Sequence, residues 1–414
     1  MRGGQSGVAL PDRRLPDPKG AAHGPSGVLD GLHVWTHRYR PYMQITAALV
    51  EGLDAPFTLT ELELDDPGPG EVLVELTATG ICHTDGLARH GDLPFPLPGV
   101  LGHEGAGTVA AVGPGVTGYA EGDPVVIGWP SCGACRNCRA GEPRYCERLG
   151  AALGGGGRLD GGTALHRLDG TPVSSHFFGQ SSFATHSLTT AAALVRVPSD
   201  MPLELMGPLA CGISTGAGAI FNTVRPRPGD QLVVFGTGTV GLAAIMAARN
   251  SAATRIIAVD RHEARLELAR ELGATDTVNA TDTDVVEAVH DLCGGPADYA
   301  LECTGVISVV RQAADTVGML GTCVLIGGAP AEAEFTLDHL STLWGKRIVG
   351  VLGGGGRSEE LITCIMRLYA QGRFPFDRLV EYFDFADVQT ALDRSYAGQV
   401  IKPILRMPKP SAAV

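Results

Sequence analysis

Four of the ten cysteines in this chain crowd into one glycine-rich loop, "CGACRNCRAGEPRYC", at Cys132, Cys135, Cys138 and Cys146. Neighbours so close in sequence would make strained disulfides, and a chain kept in a reducing compartment rarely holds any. Four thiolates at this spacing can instead wrap a tetrahedral zinc ion at about 2.3 Å. The competing reading is a set of reduced loop cysteines or a redox dithiol. A thioredoxin-type motif, however, would open a helix and has no use for a third and fourth sulfur. Four protein ligands leave no open coordination position, so this loop is expected to be a structural staple, with the chemistry elsewhere.

An incomplete ligand set comes from three other places: Cys82 in "TGICHTDG", His103 in "GVLGHEGAG" and Cys211 in "GPLACGISTGAGA". Singly, such a cysteine reads as a small buried hydrophobe and such a histidine as a satisfied polar group. Together they give the Cys2His set of a catalytic zinc that keeps its fourth position for water or substrate. Asp85 and Glu104 are candidate carboxylates for orienting the histidine or assisting ligand exchange, and the competing reading is surface or buried ion-paired acids.

A nucleotide site is expected at "LVVFGTGTVGLAAIMAA", where Gly236, Gly238 and Gly241 follow an apolar strand and open a helix. Glycines at that spacing let a pyrophosphate approach the backbone at a helix N-terminus. Asp260 closes the next strand, "RIIAVD", where a carboxylate would bond the ribose 2′-hydroxyl and repel a 2′-phosphate. NAD is favoured over NADP on that ground.

The elements that must hold these residues change type along the chain. From Gln44 to about Ala210, runs such as "EVLVELTATG" and "GTVAAVGPGV" bring β-formers between Gly and Pro turns. From Gly229, strands alternate with helical patterns, including "HEARLELARELG" and "SVVRQAADTVGML", which implies a doubly wound parallel sheet. A helix in "EELITCIMRLYAQG" and a strand in "KPILRM" are expected to pack back on the first part. Residues 1–42, rich in Gly, Pro and Arg, are expected to be disordered and lack the apolar core of a secretory signal. With 414 residues the chain has room for about two to three domains. A net charge of −13 argues against nucleic-acid and anionic-membrane partners, and a cytoplasmic location is expected.

From Met43 to Met407 the chain resembles the zinc-dependent medium-chain alcohol dehydrogenases, on the motifs "GICHTD", "PGVLGHEGAGTVAAVGPGV", "CGACRNCRAGEPRYC", "GPLACGISTGAGAIFNT" and "VVFGTGTVGLAAIMAAR". Within that family it is most similar to the bacterial aryl (benzyl) alcohol dehydrogenases. The resemblance implies an α/β protein with a GroES-like, mostly β catalytic domain over 43–212, a Rossmann domain over 213–351 and a return to the catalytic domain over 352–414. It also implies a homodimer or homotetramer, two zinc ions per chain and NAD. By position, Thr84 is the hydroxyl that takes the alcohol's proton, His83 faces the pyrophosphate, and Arg265 lies near the adenosine ribose. Thr215, Val240 and Lys402 are further cofactor contacts. Leu87 stands where many animal members carry a relay histidine, which leaves the proton path open. The implied reaction is hydride transfer between a primary alcohol, aryl or allylic, and NAD. The competing readings are a thiol-dependent formaldehyde dehydrogenase of the same family and a non-catalytic zinc-bearing binding protein.

Overall fold

Short β-runs need partners on both edges, and the chain supplies them from opposite ends of its sequence. The computed structural model describes residues 42–330 and 332–408. The stretch expected to be disordered lies outside the described residues, except that Tyr42 already belongs to the first strand, Tyr42–Val50. Glu71–Gly80 pairs antiparallel with Gly105–Val112 and with His186–Thr190. From Gly105–Val112 the sheet continues through Pro124–Ile127 to Leu194–Arg196, and beyond Glu71–Gly80 it takes in Lys402–Arg406 and Val380–Asp384. The chain's last strands thus complete a sheet that its first third begins. A second sheet runs in the order Gly99–Val100, Tyr42–Val50, Thr58–Asp65, Leu165–His166 and Pro172–Val173.

The apolar β-α alternation from Gly229 folds as six parallel strands, in the order Asp276–Asn279, Arg255–Asp260, Gln231–Phe235, Ala297–Glu302, Val317–Leu325 and Arg347–Gly350. The strand order reverses on either side of Gln231–Phe235, which opens a crevice at the carboxyl ends of the strands. The expected α/β architecture is therefore present. One element differs: the helix in "SVVRQAADTVGML" stops at Thr316, and Val317 begins a strand. The helix ends where Thr316, Val317 and Gly318, all poor helix formers, follow one another, while Val317 pairs with Ala297. No helix among the described residues is long and apolar enough to cross a membrane.

Two close approaches tie the sheets together around the crevice. A Cβ on Gly216 would stand 2.0 Å from the Val240 carbonyl oxygen, so helices Gly212–Gly218 and Thr239–Arg249 meet backbone to backbone. On the β side, the loop 176–181 holds His176, Phe178 and Ser181 at φ of 59°, 51° and 53°, a region side chains seldom adopt. Such strain persists only where the surroundings over-determine it. Buried Gln180 does so: its Nε2 donates to the carbonyls of His103 (3.0 Å) and Ile127 (3.1 Å), and its Oε1 accepts from Gly105 N (2.9 Å).

Gln180→Leu keeps the volume and orphans three buried backbone groups. Unfolding in denaturant is expected to show a loss of about 2–5 kcal/mol, whereas a loss below about 0.5 kcal/mol would mean that the amide does not hold this loop.

Candidate active site

Cys82 stands where the strand Glu71–Gly80 gives way to the helix His83–His90, and it caps that helix. Its N–H donates to Asp85 Oδ2 at 2.9 Å. The other carboxylate oxygen of Asp85 accepts from His103 Nδ1 at 2.8 Å and from Gly102 N at 3.2 Å. An acceptor carboxylate at Nδ1 leaves Nε2 to face the other way. That atom is buried and has no protein partner. The Cys82 and Cys211 sulfurs, a His103 ring nitrogen and a Glu104 carboxylate oxygen lie within 4.8 Å of one another. The three residues expected to hold a catalytic metal are thus brought together, from segments about 20 and 110 residues apart in sequence.

The electrostatics of the cluster favour a cation. Contact with Cys211 draws the Cys82 thiol well below its ordinary range against the effect of burial, while the same contact and burial push Cys211 well above it. Burial opposes charge on His103, yet Asp85 and Cys82 raise its pKa to about 10. A carboxylate behind the imidazole fixes its orientation and increases its basicity as a ligand. Two sulfurs and an imidazole nitrogen form a donor set that fits zinc.

Glu104 comes nearer than an orienting residue need, within ligand distance of the cluster. Burial raises its pKa to about 7, with Lys402 acting in the opposite sense. Lys402 departs from expectation. Its ammonium is buried and donates to both Glu104 oxygens at 2.9 Å and to the Ile81 carbonyl at 2.9 Å, so it neutralises a buried carboxylate instead of facing a cofactor.

Thr84 Oγ1 lies 3.6 Å from Cys82 Sγ. Leu87 approaches Gly328, in the loop after Val317–Leu325, across the crevice. His83 is exposed and lies against Tyr396, their ring centroids 4.3 Å apart. The Thr215 hydroxyl donates to the Cys211 carbonyl at 2.8 Å, and Arg265 Nη2 donates to the Gly398 carbonyl at 3.1 Å.

The glycine turn has a distinct requirement at each position. Gly236 takes φ of 87°, and a Cβ on Gly241 would stand 1.8 Å from the Gly236 carbonyl oxygen. A Cβ on Gly238 would meet nothing within 4 Å, so this is the position left open toward a ligand. Val240 lies in the first turn of the helix that follows. Asp260 Oδ2 accepts from Thr237 N (2.7 Å) and Oγ1 (2.6 Å), and Oδ1 from Arg261 N and His262 N. Burial works against its charge, but these bonds hold its pKa below the usual carboxylate value.

The sulfurs of Cys132, Cys135, Cys138 and Cys146 also lie within 4.8 Å of one another. Backbone N–H groups of Cys132, Cys138, Glu147 and Arg148 point at them over 3.4–3.5 Å. Those from Glu147 and Cys138 draw the Cys135 thiol down to about 6, whereas burial and the neighbouring sulfurs push Cys138 up to about 12. A tetrad of sulfurs with N–H donors behind them is suited to a metal held without an open position.

Three residues that the sequence reading did not single out complete the surroundings. Phe178 stacks on His103 with centroids 4.6 Å apart, and Trp129 meets Phe178 edge-on at 5.3 Å. Arg144, from the cysteine loop, lies over Trp129 at 4.8 Å and is 1 % exposed. Its Nε, Nη1 and Nη2 all lack hydrogen-bond partners. Clustering of Trp and Phe in "IGWP" and "HFFG", in a chain only 6 % aromatic, was a signal available in the sequence.

Residues 68–199 match the family described as "Alcohol dehydrogenase GroES-like domain", and residues 239–371 match "Zinc-binding dehydrogenase". The geraniol dehydrogenase of Castellaniella defragrans is 40% identical over 372 residues, covering 88% of this chain and 98% of that protein. The S-(hydroxymethyl)glutathione dehydrogenase of a Synechocystis species is 34% identical, covering 88% and 100%. The crystal structure of benzyl alcohol dehydrogenase from Acinetobacter calcoaceticus superposes with a TM-score of 0.85 at 41% identity, covering 88% of this chain and 100% of that one. Likeness over nearly the whole described chain, together with the two matched domains and the open thiol–imidazole cluster beside a dinucleotide-type turn, means that the chain belongs to the zinc-dependent medium-chain alcohol dehydrogenases, oxidoreductases that work with zinc and a nicotinamide cofactor.

Proposed function

We propose that this enzyme transfers hydride between a primary alcohol, aryl or allylic in type, and NAD, giving the aldehyde. The observation that carries the reading is the buried, partnerless Nε2 of His103, set among the sulfurs of Cys82 and Cys211 and walled by Phe178. Cys82, His103 and Cys211 hold a catalytic zinc, and Cys132, Cys135, Cys138 and Cys146 a structural one, two per chain. Zinc held by the first set supplies a Lewis acid for the substrate oxygen. Asp85 keeps the His103 ring in register, and Thr84 takes the alcohol's proton. Glu104, bonded to the buried Lys402, stands within ligand distance of the cluster, where it would add a carboxylate to the donor set. His83 and the turn Gly236, Gly238 and Gly241 bind the pyrophosphate, Asp260 and Arg265 the adenosine ribose, and Thr215 and Val240 line the cofactor's path.

Phe178 and Trp129 put aromatic surroundings beside the metal cluster, which fits a ring or a conjugated chain, and relatives named for geraniol and benzyl alcohol support the same class. The S-(hydroxymethyl)glutathione dehydrogenase relative supports a second reading, oxidation of a thiol adduct of formaldehyde. For assembly, Met319, Leu320, Leu343 and Trp344 are 68%, 74%, 67% and 49% exposed near the edge strand Arg347–Gly350. An apolar patch at an open sheet edge supports a homodimer or homotetramer.

Rates over aromatic, terpenoid and short aliphatic alcohols, with and without glutathione, test the substrate. Benzyl and allylic alcohols are expected to react without thiol. Formaldehyde turnover only with thiol, with negligible benzyl alcohol activity, moves the assignment to the second reading. The zinc count has its own test: Cys135→Ser is expected to release one zinc per chain and lower stability, while the folded remainder still turns over. Full zinc content at unchanged stability would show that the loop is not a closed metal site. For the cofactor, wild-type specificity constants are expected to favour NAD, and Asp260→Ser to relax discrimination against NADP. A wild-type preference for NADP would overturn that assignment.

A further inference from the structure

Buried cations in proteins are paired, because an uncompensated charge away from water costs several kcal/mol. Arg144 departs from this rule: at 1 % exposure none of its three guanidinium nitrogens has a hydrogen-bond partner. The indole Nε1 of Trp129, whose ring lies beneath it, is also buried and partnerless. Among the described residues no carboxylate forms an ion pair with this guanidinium, and what opposite charge acts on it comes from the Cys211 thiol and the Tyr145 phenol. The cation–π contact offsets only part of the desolvation.

The position of this donor cluster ties it to the reaction. Trp129 meets Phe178, and Phe178 covers His103 of the metal cluster. On the other side, a Cβ on Gly353 would stand 3.0 Å from Arg144 Nη1 and 3.0 Å from Trp129 Cε2, so this loop closes directly over the cation. Gly353 lies just beyond the carboxyl end of the strand Arg347–Gly350. A doubly wound sheet binds its ligand at that end, with Asp260 marking the adenosine half, so the strands on the other side of the switch point border the nicotinamide half. Arg144 therefore stands between the metal cluster and the nicotinamide end of the crevice.

We propose that Arg144 and the Trp129 indole N–H form a carboxylate-recognition subsite, and that the preferred substrate is an alcohol or aldehyde bearing a carboxylate on its aromatic or allylic skeleton. A guanidinium fork matches a carboxylate in shape and charge, and a carboxylate, unlike a neutral acceptor, removes the buried charge as it fills the donors. Entry requires the covering loop, Gly353 to Gly356, to move against the bonds that hold it, from Asn222 to its Gly354 and Gly355 carbonyls and from Gly356 N to Glu142. The inference rests on the reading that an alcohol is oxidised in this crevice.

The test compares benzyl alcohol with 3- and 4-(hydroxymethyl)benzoate as substrates of the zinc-loaded enzyme with NAD. In the wild type one carboxylated isomer is expected to exceed benzyl alcohol in kcat/KM by about tenfold or more, through a lower KM. Arg144→Met is expected to reduce the carboxylated-to-neutral ratio by about 10²-fold, and Arg144→Lys to restore part of it. Equal or better turnover of benzyl alcohol by the wild type overturns the subsite while leaving the alcohol dehydrogenase reading intact, and so does an unchanged ratio in Arg144→Met. No turnover of any of the three overturns both. Should Arg144→Met not fold, benzene-1,4-dicarboxylate decides: it is expected to raise the wild-type melting temperature and to compete with the carboxylated alcohol, and failure to do either overturns the subsite.

Discussion

The buried carboxylate of Asp85 is the point from which the site is built. Wholly removed from water, it must have its lone pairs filled, and it takes N–H donors from Cys82, Gly102 and His103. One of these bonds starts the helix His83–His90, and another sets which nitrogen of His103 remains free. Neither cysteine nor histidine would face the other without the strand pairing behind them. Cys82 follows the strand Glu71–Gly80, His103 precedes Gly105–Val112, and those two strands are antiparallel neighbours, with Gly80 N donating to the Glu104 carbonyl at 3.0 Å. Asp85 thus turns a sheet register into a ligand geometry.

The third member, Cys211, belongs to a different mechanical unit. It caps the helix Gly212–Gly218, which lies against the nucleotide-turn helix through the Gly216–Val240 approach. Thr239, first in the latter helix, donates its hydroxyl to the Ile401 carbonyl at 2.9 Å, and the next residue, Lys402, reaches back to Glu104 beside the cluster. Backbone contact on one side and a buried ion pair on the other thus join the turn at Gly236 to the thiol–imidazole cluster. Coupling of this kind needs packed contacts with little slack, and the glycines at 216 and 241 leave none.

What could be read from the sequence follows from which constraints are local. Cys132 to Cys146 and Gly236 to Gly241 are legible because ligand geometry and backbone φ act over a few residues. The β-then-α/β division was legible because pattern periods differ. Glu104 and Lys402 stand 298 residues apart, and a terminal lysine that neutralises a buried acid looks no different in sequence from one facing a phosphate. The end of the helix at Thr316 was missed because "TVGML" continues an apolar pattern compatible with both helix and strand. Phe178 was invisible for another reason: its ring reaches His103 only through a positive φ that Gln180 maintains from buried contacts.

The four-cysteine loop shows why a structural element and a reactive one are hard to separate by motif alone. Its sulfurs form a closed set, yet the residues between Cys138 and Cys146 reach the wall of the crevice. Tyr145 Oη accepts from Leu352 N at 3.3 Å and donates to the Gly350 carbonyl at 3.4 Å, and Glu142 accepts from Gly356 N at 3.3 Å. Between them Arg144 points inward over Trp129, two residues before the last sulfur. A loop of this length would pay a large conformational entropy to hold an unpartnered cation in one place. Four sulfurs drawn within 4.8 Å of one another remove much of that freedom, so the cysteine cluster is what holds Arg144 in place over Trp129.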